Sequence, residues 1–122
     1  MTEDRHQMYV IKWSQQPSIR QKYPELKLLH HIPNERKCSP AQGKLLKLMG
    51  VRSGVPDLSL PAPKSGFNGL YIEMKTDTGR LSDNQKWWIE ELKKEGYRCE
   101  VCYGWQSAVD ILEDYLNGKQ GD

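Results

Sequence analysis

The sequence predicts an α/β fold, a mixed central sheet flanked by helices. Three observations carry this. Short apolar segments of strand length alternate with longer segments of helical periodicity. Two strand segments, VPDLSLP (55–61) and LYIEMK (70–75), are separated only by the turn-rich run APKSGFNG, which suits an antiparallel hairpin. A third, YRCEVCY (97–103), follows a helical segment, as a crossover to a parallel neighbour does. A length of 122 residues suits one domain, 1–122.

The elements follow in order. DRHQMYVIKWSQ (4–15) places Met8, Ile11 and Trp13 at near-helical spacing, and Pro17 marks its end. LKLLHHI (26–32) is short and apolar, stops at Pro33 and reads as a strand. Ser39 and Pro40 form an N-cap followed by proline at the first helical position. Leu45, Leu46, Leu48 and Met49 supply that helix with an apolar face, and Gly50 ends it. After the hairpin, TDTGRLSD is a loop. Ser82 and Gln85 then make a capping box for a helix running to about Glu95, closed by Gly96. After YRCEVCY, residues 105–116 carry Ala108, Ile111, Leu112 and Leu116 on one face.

Composition narrows the class. With 37% hydrophobic and 28% charged residues the chain reads as a soluble globular protein. No apolar run is long enough for a transmembrane helix, and MTEDRHQMYV lacks the apolar core of a signal peptide. The expected location is the cytoplasm. Three cysteines without a secretory signal argue against a disulfide framework. The net charge of +2 is nearly balanced, but no acid lies between Glu35 and Asp57. That stretch carries Arg36, Lys37, Lys44, Lys47 and Arg52, which suits a surface facing a polyanion. A solvated helix face with its flanks accounts for it equally simply.

The chemistry concentrates on Asp57, Glu73 and Lys75. Strand alternation puts Tyr71, Glu73 and Lys75 on one face of LYIEMK, opposite Leu70, Ile72 and Met74. Hairpin pairing then brings Asp57 toward Glu73 and Lys75 at one end of the sheet. Two converging carboxylates repel unless positive charge lies between them. A hard divalent cation satisfies both, takes phosphate oxygens as further ligands, and activates water. A lysine beside it stabilises developing negative charge. The set suits hydrolysis of a phosphodiester. A surface Glu73–Lys75 ion pair, with Asp57 holding a loop backbone, is the alternative.

Pro56-Asp57 followed by Glu73-x-Lys75 resembles the PD-(D/E)XK signature of the restriction-endonuclease-like fold. The flanks MGVRSGVPDLSLP, GLYIEMKTDTGRLSDNQ and EGYRCEVCYGWQSAVDILEDYL resemble the virus-type replication-repair nuclease (VRR-NUC) family, its stand-alone phage and bacterial members in particular. The resemblance implies an endonuclease dependent on Mg2+ or Mn2+. By it, Asp57 and Glu73 are metal ligands, the Met74 carbonyl faces the metal, and Lys75 is the catalytic lysine. Gln85 matches the glutamine that opens the helix after the E-x-K strand, a role compatible with its capping box. Many members add an acid from the first helix; the candidates here are Glu3 and Gln7, of which Glu3 is the carboxylate. Stand-alone members are similar to Holliday-junction resolvases, which act as homodimers. The implied substrate is therefore branched DNA, cut in a bacterial host cell if the protein is phage-encoded. Action on flaps, nicks or plain duplex, or a non-catalytic DNA-binding module of the same fold, are the alternatives.

Other features point less far. Cys99 and Cys102 form C-x-x-C, but residues three apart on a strand face opposite ways, which argues against a shared zinc or redox site with Cys38. His30 and His31 also alternate, so at most one faces the nuclease site, and a core or surface histidine is the simpler reading of both. Trp88 belongs with Gln85, Ile89 and Leu92 on the apolar helix face. Trp87 points away and suits a rim, an oligomer interface or a base-stacking surface.

Overall fold

The computed structural model describes residues 1–33 and 39–118. Helix α1 (Glu3–Gln15) starts where the Thr2 hydroxyl accepts from the Arg5 amide at 3.2 Å. Its buried residues are Val10 and Ser14, and Ile11 and Trp13 pack against the core, while Met8 points outward. Of the three residues whose spacing marks the helix, only Met8 lies off its inner face. Pro17 does more than terminate it: it occupies the first turn of a second helix, α2 (Pro17–Lys22).

The strand expected over 26–32 is mostly absent. Pro24–Leu28 form a 3-10 helix, and only His30–His31 form a strand, β1. The reason lies in Leu26, which the 3-10 turn drives into the core while Leu28 stays exposed. A short apolar run cannot by itself distinguish these outcomes.

Helix α3 (Pro40–Leu48) has the expected capping box, with Gln42 as the reciprocal partner of Ser39. Its expected apolar face is not packed: Leu45, Leu48 and Met49 are 55%, 77% and 71% exposed, and no residue of α3 is buried. Strands β2 (Leu58–Leu60) and β3 (Leu70–Lys75) pair antiparallel, with Leu58 opposite Ile72 and Leu60 opposite Leu70. Helix α4 (Asp83–Lys94) crosses over to β4 (Arg98–Tyr103), which runs parallel to β3, and α5 (Trp105–Leu116) closes the described chain. The sheet order is β1-β2-β3-β4, a mixed sheet as the sequence predicts.

Alternation along β3 separates two environments. Leu70, Ile72 and Met74 join Leu58, Leu60, Val10, Leu112 and Tyr115 in the main core under α1 and α5. Tyr71, Glu73 and Lys75 therefore face the other way. The cysteines follow the same rule. Cys102 lies in the main core beside Ser107 of α5, and Cys99 faces the charges of Glu90 and Lys93 on α4. Burial raises the two thiols to about 12 and about 11, respectively. No described helix is long and apolar enough to cross a membrane.

The loop before β2 is fastened to α4. The Asn84 amide donates to the Ser53 hydroxyl at 2.9 Å, and the Trp88 indole donates to the Ser53 carbonyl at 3.1 Å. The Arg52 guanidinium lies 5.7 Å from the Trp88 ring centroid. Gly54 lies so close that a Cβ there would meet Asn84 backbone at 2.7 Å, and its φ is +92°. Gly50 has a similar φ of +99° but open space around it. Both positions favour glycine, but only Gly54 adds a backbone clash. Gly54→Ala should therefore cost more stability than Gly50→Ala, whose cost is about 1–3 kcal/mol of strain. Urea unfolding of both variants checks this; equal losses would mean that the Asn84 contact yields.

Candidate active site

Asp57 sits one residue before β2, and continuing the β2–β3 register by one step places it across from Glu73. Its Oδ2 accepts a 2.8 Å hydrogen bond from the Met74 amide. A side chain thus takes over a ladder position where β2 has not yet begun. Its own carbonyl is held at 2.8 Å by the Ile32 amide and contacts His31 Nδ1 at the same distance. Accepting two donors fixes the Asp57 backbone, and a donating His31 carries its proton on Nδ1. Sequence alternation alone could not say which histidine faced this way.

The amide and carbonyl of one strand residue point to the same side. The Met74 amide points to Asp57, whereas the Lys75 carbonyl accepts from Gly104 on the β4 side. The Met74 carbonyl therefore points past the end of β2 toward the carboxylates.

Glu73 is 3% exposed, and its Oε1 has no hydrogen-bond partner among the described residues. Its other oxygen accepts a long bond, 3.4 Å, from the Gln85 side-chain amide. Gln85 Oε1 meanwhile accepts from the Ser82 amide at 2.9 Å. One glutamine thus caps α4, as the capping-box reading expected, and touches the carboxylate. Burial foremost, then the Asp57 carboxyl close against it, pushes the Glu73 pKa up to about 9; Lys75 opposes this, and the Glu3 charge adds to it. Contact between two carboxyls is favourable only with a proton or a cation between them.

Lys75 is buried beside this pair, and the loop after it folds over its stem: a Cβ at Gly79 would sit 3.1 Å from Lys75 Cδ. Glu3 opens α1 and is half-buried, as is Gln7 on the same face. Its charge reaches Glu73, yet no group of three His, Cys, Asp or Glu side chains is close enough to hold an ion among the described residues. The oxygen donors brought together are the carboxyls of Asp57 and Glu73, and the Met74 carbonyl lies on the Asp57 side of the same strand. The orphaned Oε1 and the facing Asp57 carboxyl fit a hard divalent cation.

The basic stretch is only partly gathered. Lys44 and Lys47 are exposed on α3, and Arg52 lies on Trp88. Arg36, Lys37 and Cys38 fall outside the described residues. Trp87 is 53% exposed and packs edge-on against Trp88, with centroids 5.4 Å apart. The tie of Ser53 to Asn84 and Trp88 had no sequence signal beyond Gly54 itself, because it joins residues about thirty positions apart.

Comparison with known proteins identifies the family and the fold. The family model described as the VRR-NUC domain matches residues 1–106. A solved structure titled "VRR_NUC domain protein" is 32% identical, with a TM-score of 0.76 over 100% of this chain and 93% of that one. No functionally curated protein matches the chain. The fold is thus restriction-endonuclease-like, and the chain belongs to the VRR-NUC nuclease family.

Proposed function

We propose that the protein is a divalent-metal-dependent DNA endonuclease that hydrolyses phosphodiester bonds in branched DNA, in the manner of a Holliday-junction resolvase. The observation that carries this is the buried Asp57–Glu73 pair, with an orphaned Glu73 oxygen and Lys75 alongside. Asp57, Glu73 and the Met74 carbonyl would hold Mg2+ or Mn2+, which when bound supplies Lewis acidity at the scissile phosphate and a more acidic water. Glu3 is placed to add charge from α1. Lys75 stabilises negative charge developing on the phosphoryl oxygens and orients the attacking water. Gln85 steadies Glu73 from the end of α4. Lys44, Lys47 and Arg52, with Arg36 and Lys37, hold phosphates on either side, which makes binding salt-sensitive.

A four-way junction needs two cuts, and one such centre makes one. A two-fold homodimer presents two centres symmetrically. The exposed Leu45, Leu48 and Met49 ridge supports this reading, because α3 buries nothing within its own chain. A helix this short is marginal without tertiary packing. Leu48→Asp should shift a dimer toward monomer in sedimentation velocity, with a loss of circular dichroism no larger than the α3 helix accounts for; an unchanged mass would remove the ridge from the interface.

Cleavage of a labelled four-way junction should give paired cuts with Mg2+ or Mn2+, none with EDTA, and at least a hundredfold less with Lys75→Ala. Equal cutting of a matched linear duplex would leave the nuclease and discard the junction preference. Metal-independent binding with no cutting of either substrate would leave a DNA-binding module.

The Glu73 shift adds a pH test. Its folded pKa, about 9, lies above the ordinary 4.5, so the folded state holds the extra proton. The stability this confers is full below about 4.5 and is lost as pH rises through about 9. Without metal at pH 8, Glu73→Gln should raise stability by on the order of a few kcal/mol, with the gain vanishing near pH 4. Added Mg2+ should stabilise the wild type more than the variant. A variant that melts lower than wild type at pH 8 would contradict the raised pKa.

A further inference from the structure

The outer face of α1 has no part in the centre just described, yet it carries a second set of nucleic-acid-binding chemistry. Arg5, Met8, Tyr9 and Lys12 line a surface cavity of about 210 Å³. Their spacing, at i, i+3, i+4 and i+7, puts them on one stripe of the helix. Tyr9 is 41% exposed and stacks on Trp105, with centroids 5.7 Å apart and ring planes 29° apart. One face of Tyr9 is thereby covered by Trp105, and the residue still keeps much of its surface exposed. Among the described residues neither Arg5 nor Lys12 is engaged in an ion pair.

A larger cavity, about 340 Å³, lies beside Trp105. Trp105 lines it, as does Thr76, the residue after Lys75. His6, Thr78 and Gln106 give its wall hydrogen-bonding groups, and Asp77 makes it hostile to a phosphate. Its chemistry suits the polar edge of a base. Tyr9 thus lines one cavity and Trp105 the other, and Thr76 sets the larger one beside the strand end that carries Lys75.

We propose that this α1 groove is a binding track for an unpaired DNA strand leading away from the nuclease centre. A base stacks on the exposed surface of Tyr9, Arg5 and Lys12 hold the flanking phosphates, and the larger cavity takes a neighbouring base. Aromatic platforms interleaved with cations are the general means of holding single strands without sequence preference. Duplex, whose bases are already stacked, gains only the phosphate contacts. The proposal rests on the nuclease reading and adds that a strand unpaired at the branch, or opened there on binding, is held beside the cut.

The test is binding of labelled oligo(dT), and of a blunt duplex, to the full chain in EDTA. Tyr9→Ala should weaken oligo(dT) binding roughly tenfold, and Tyr9→Phe should restore it. The Arg5→Gln, Lys12→Gln double variant should reduce the slope of log affinity against log salt by about 1.4 on single strands. Duplex binding should change little with Tyr9→Ala. Unchanged oligo(dT) affinity, failure of Tyr9→Phe to restore it, or equal loss on duplex would each overturn the track. So would a fall in sedimentation mass with Tyr9→Ala, which would make the face a protein contact. Junction cleavage by the wild type is measured in parallel. Its absence with oligo(dT) binding intact removes the nuclease reading alone, and its presence with no effect of the variants removes the track alone.

Discussion

Two carboxyl groups held against each other in a buried pocket are the constraint around which this fold is arranged. Left to themselves they would separate into water. They are kept together because each is committed to backbone or to a helix end. Asp57 accepts from the Met74 amide, and Glu73 is anchored in β3 and touched by Gln85. The cost of that confinement shows as the raised Glu73 pKa. A proton relieves it in the free protein, and a cation would relieve it more fully.

The surroundings resist the relaxation that such repulsion favours. β3 is paired on both sides, so Glu73 cannot retreat without breaking a ladder. Asp57 is tied through its carbonyl to β1, and the loop leading to it is tied to α4. Gln85 starts that same helix. The hairpin and the crossover helix are therefore joined in one frame around the centre, and two of its side chains, Asp57 and Gln85, accept bonds from the backbone amides of Met74 and Ser82.

Legibility in the sequence followed the range of the interactions. The capping boxes of α3 and α4 were readable because both partners lie within one turn. Glu73 and Lys75 were readable because strand alternation is local, and Asp57 because a hairpin brings near neighbours together. The 3-10 turn at Pro24–Leu28 was not, since LKLLHHI carries no period that separates it from a strand. On α1 the spacing of Met8, Ile11 and Trp13 marked the helix, but Met8 stays exposed and Val10 is buried instead, because both are apolar and only tertiary packing decides between them. The Leu45–Met49 ridge shows the remaining gap: amphipathicity announces an apolar face but not what covers it.

Helix α3 is closed at both ends by its own local bonds, the Ser39–Gln42 box at one and the turn at Gly50 at the other, yet it buries no residue. Its order is thus a local helix–coil balance, separable from unfolding of the sheet. Whatever covers the ridge also supplies the free energy that completes the helix, so ordering and association become a single event. The affinity of that contact is then set partly by intrinsic helix propensity. Residues such as Ala41, exposed and far from the centre, tune it without touching the partner at all.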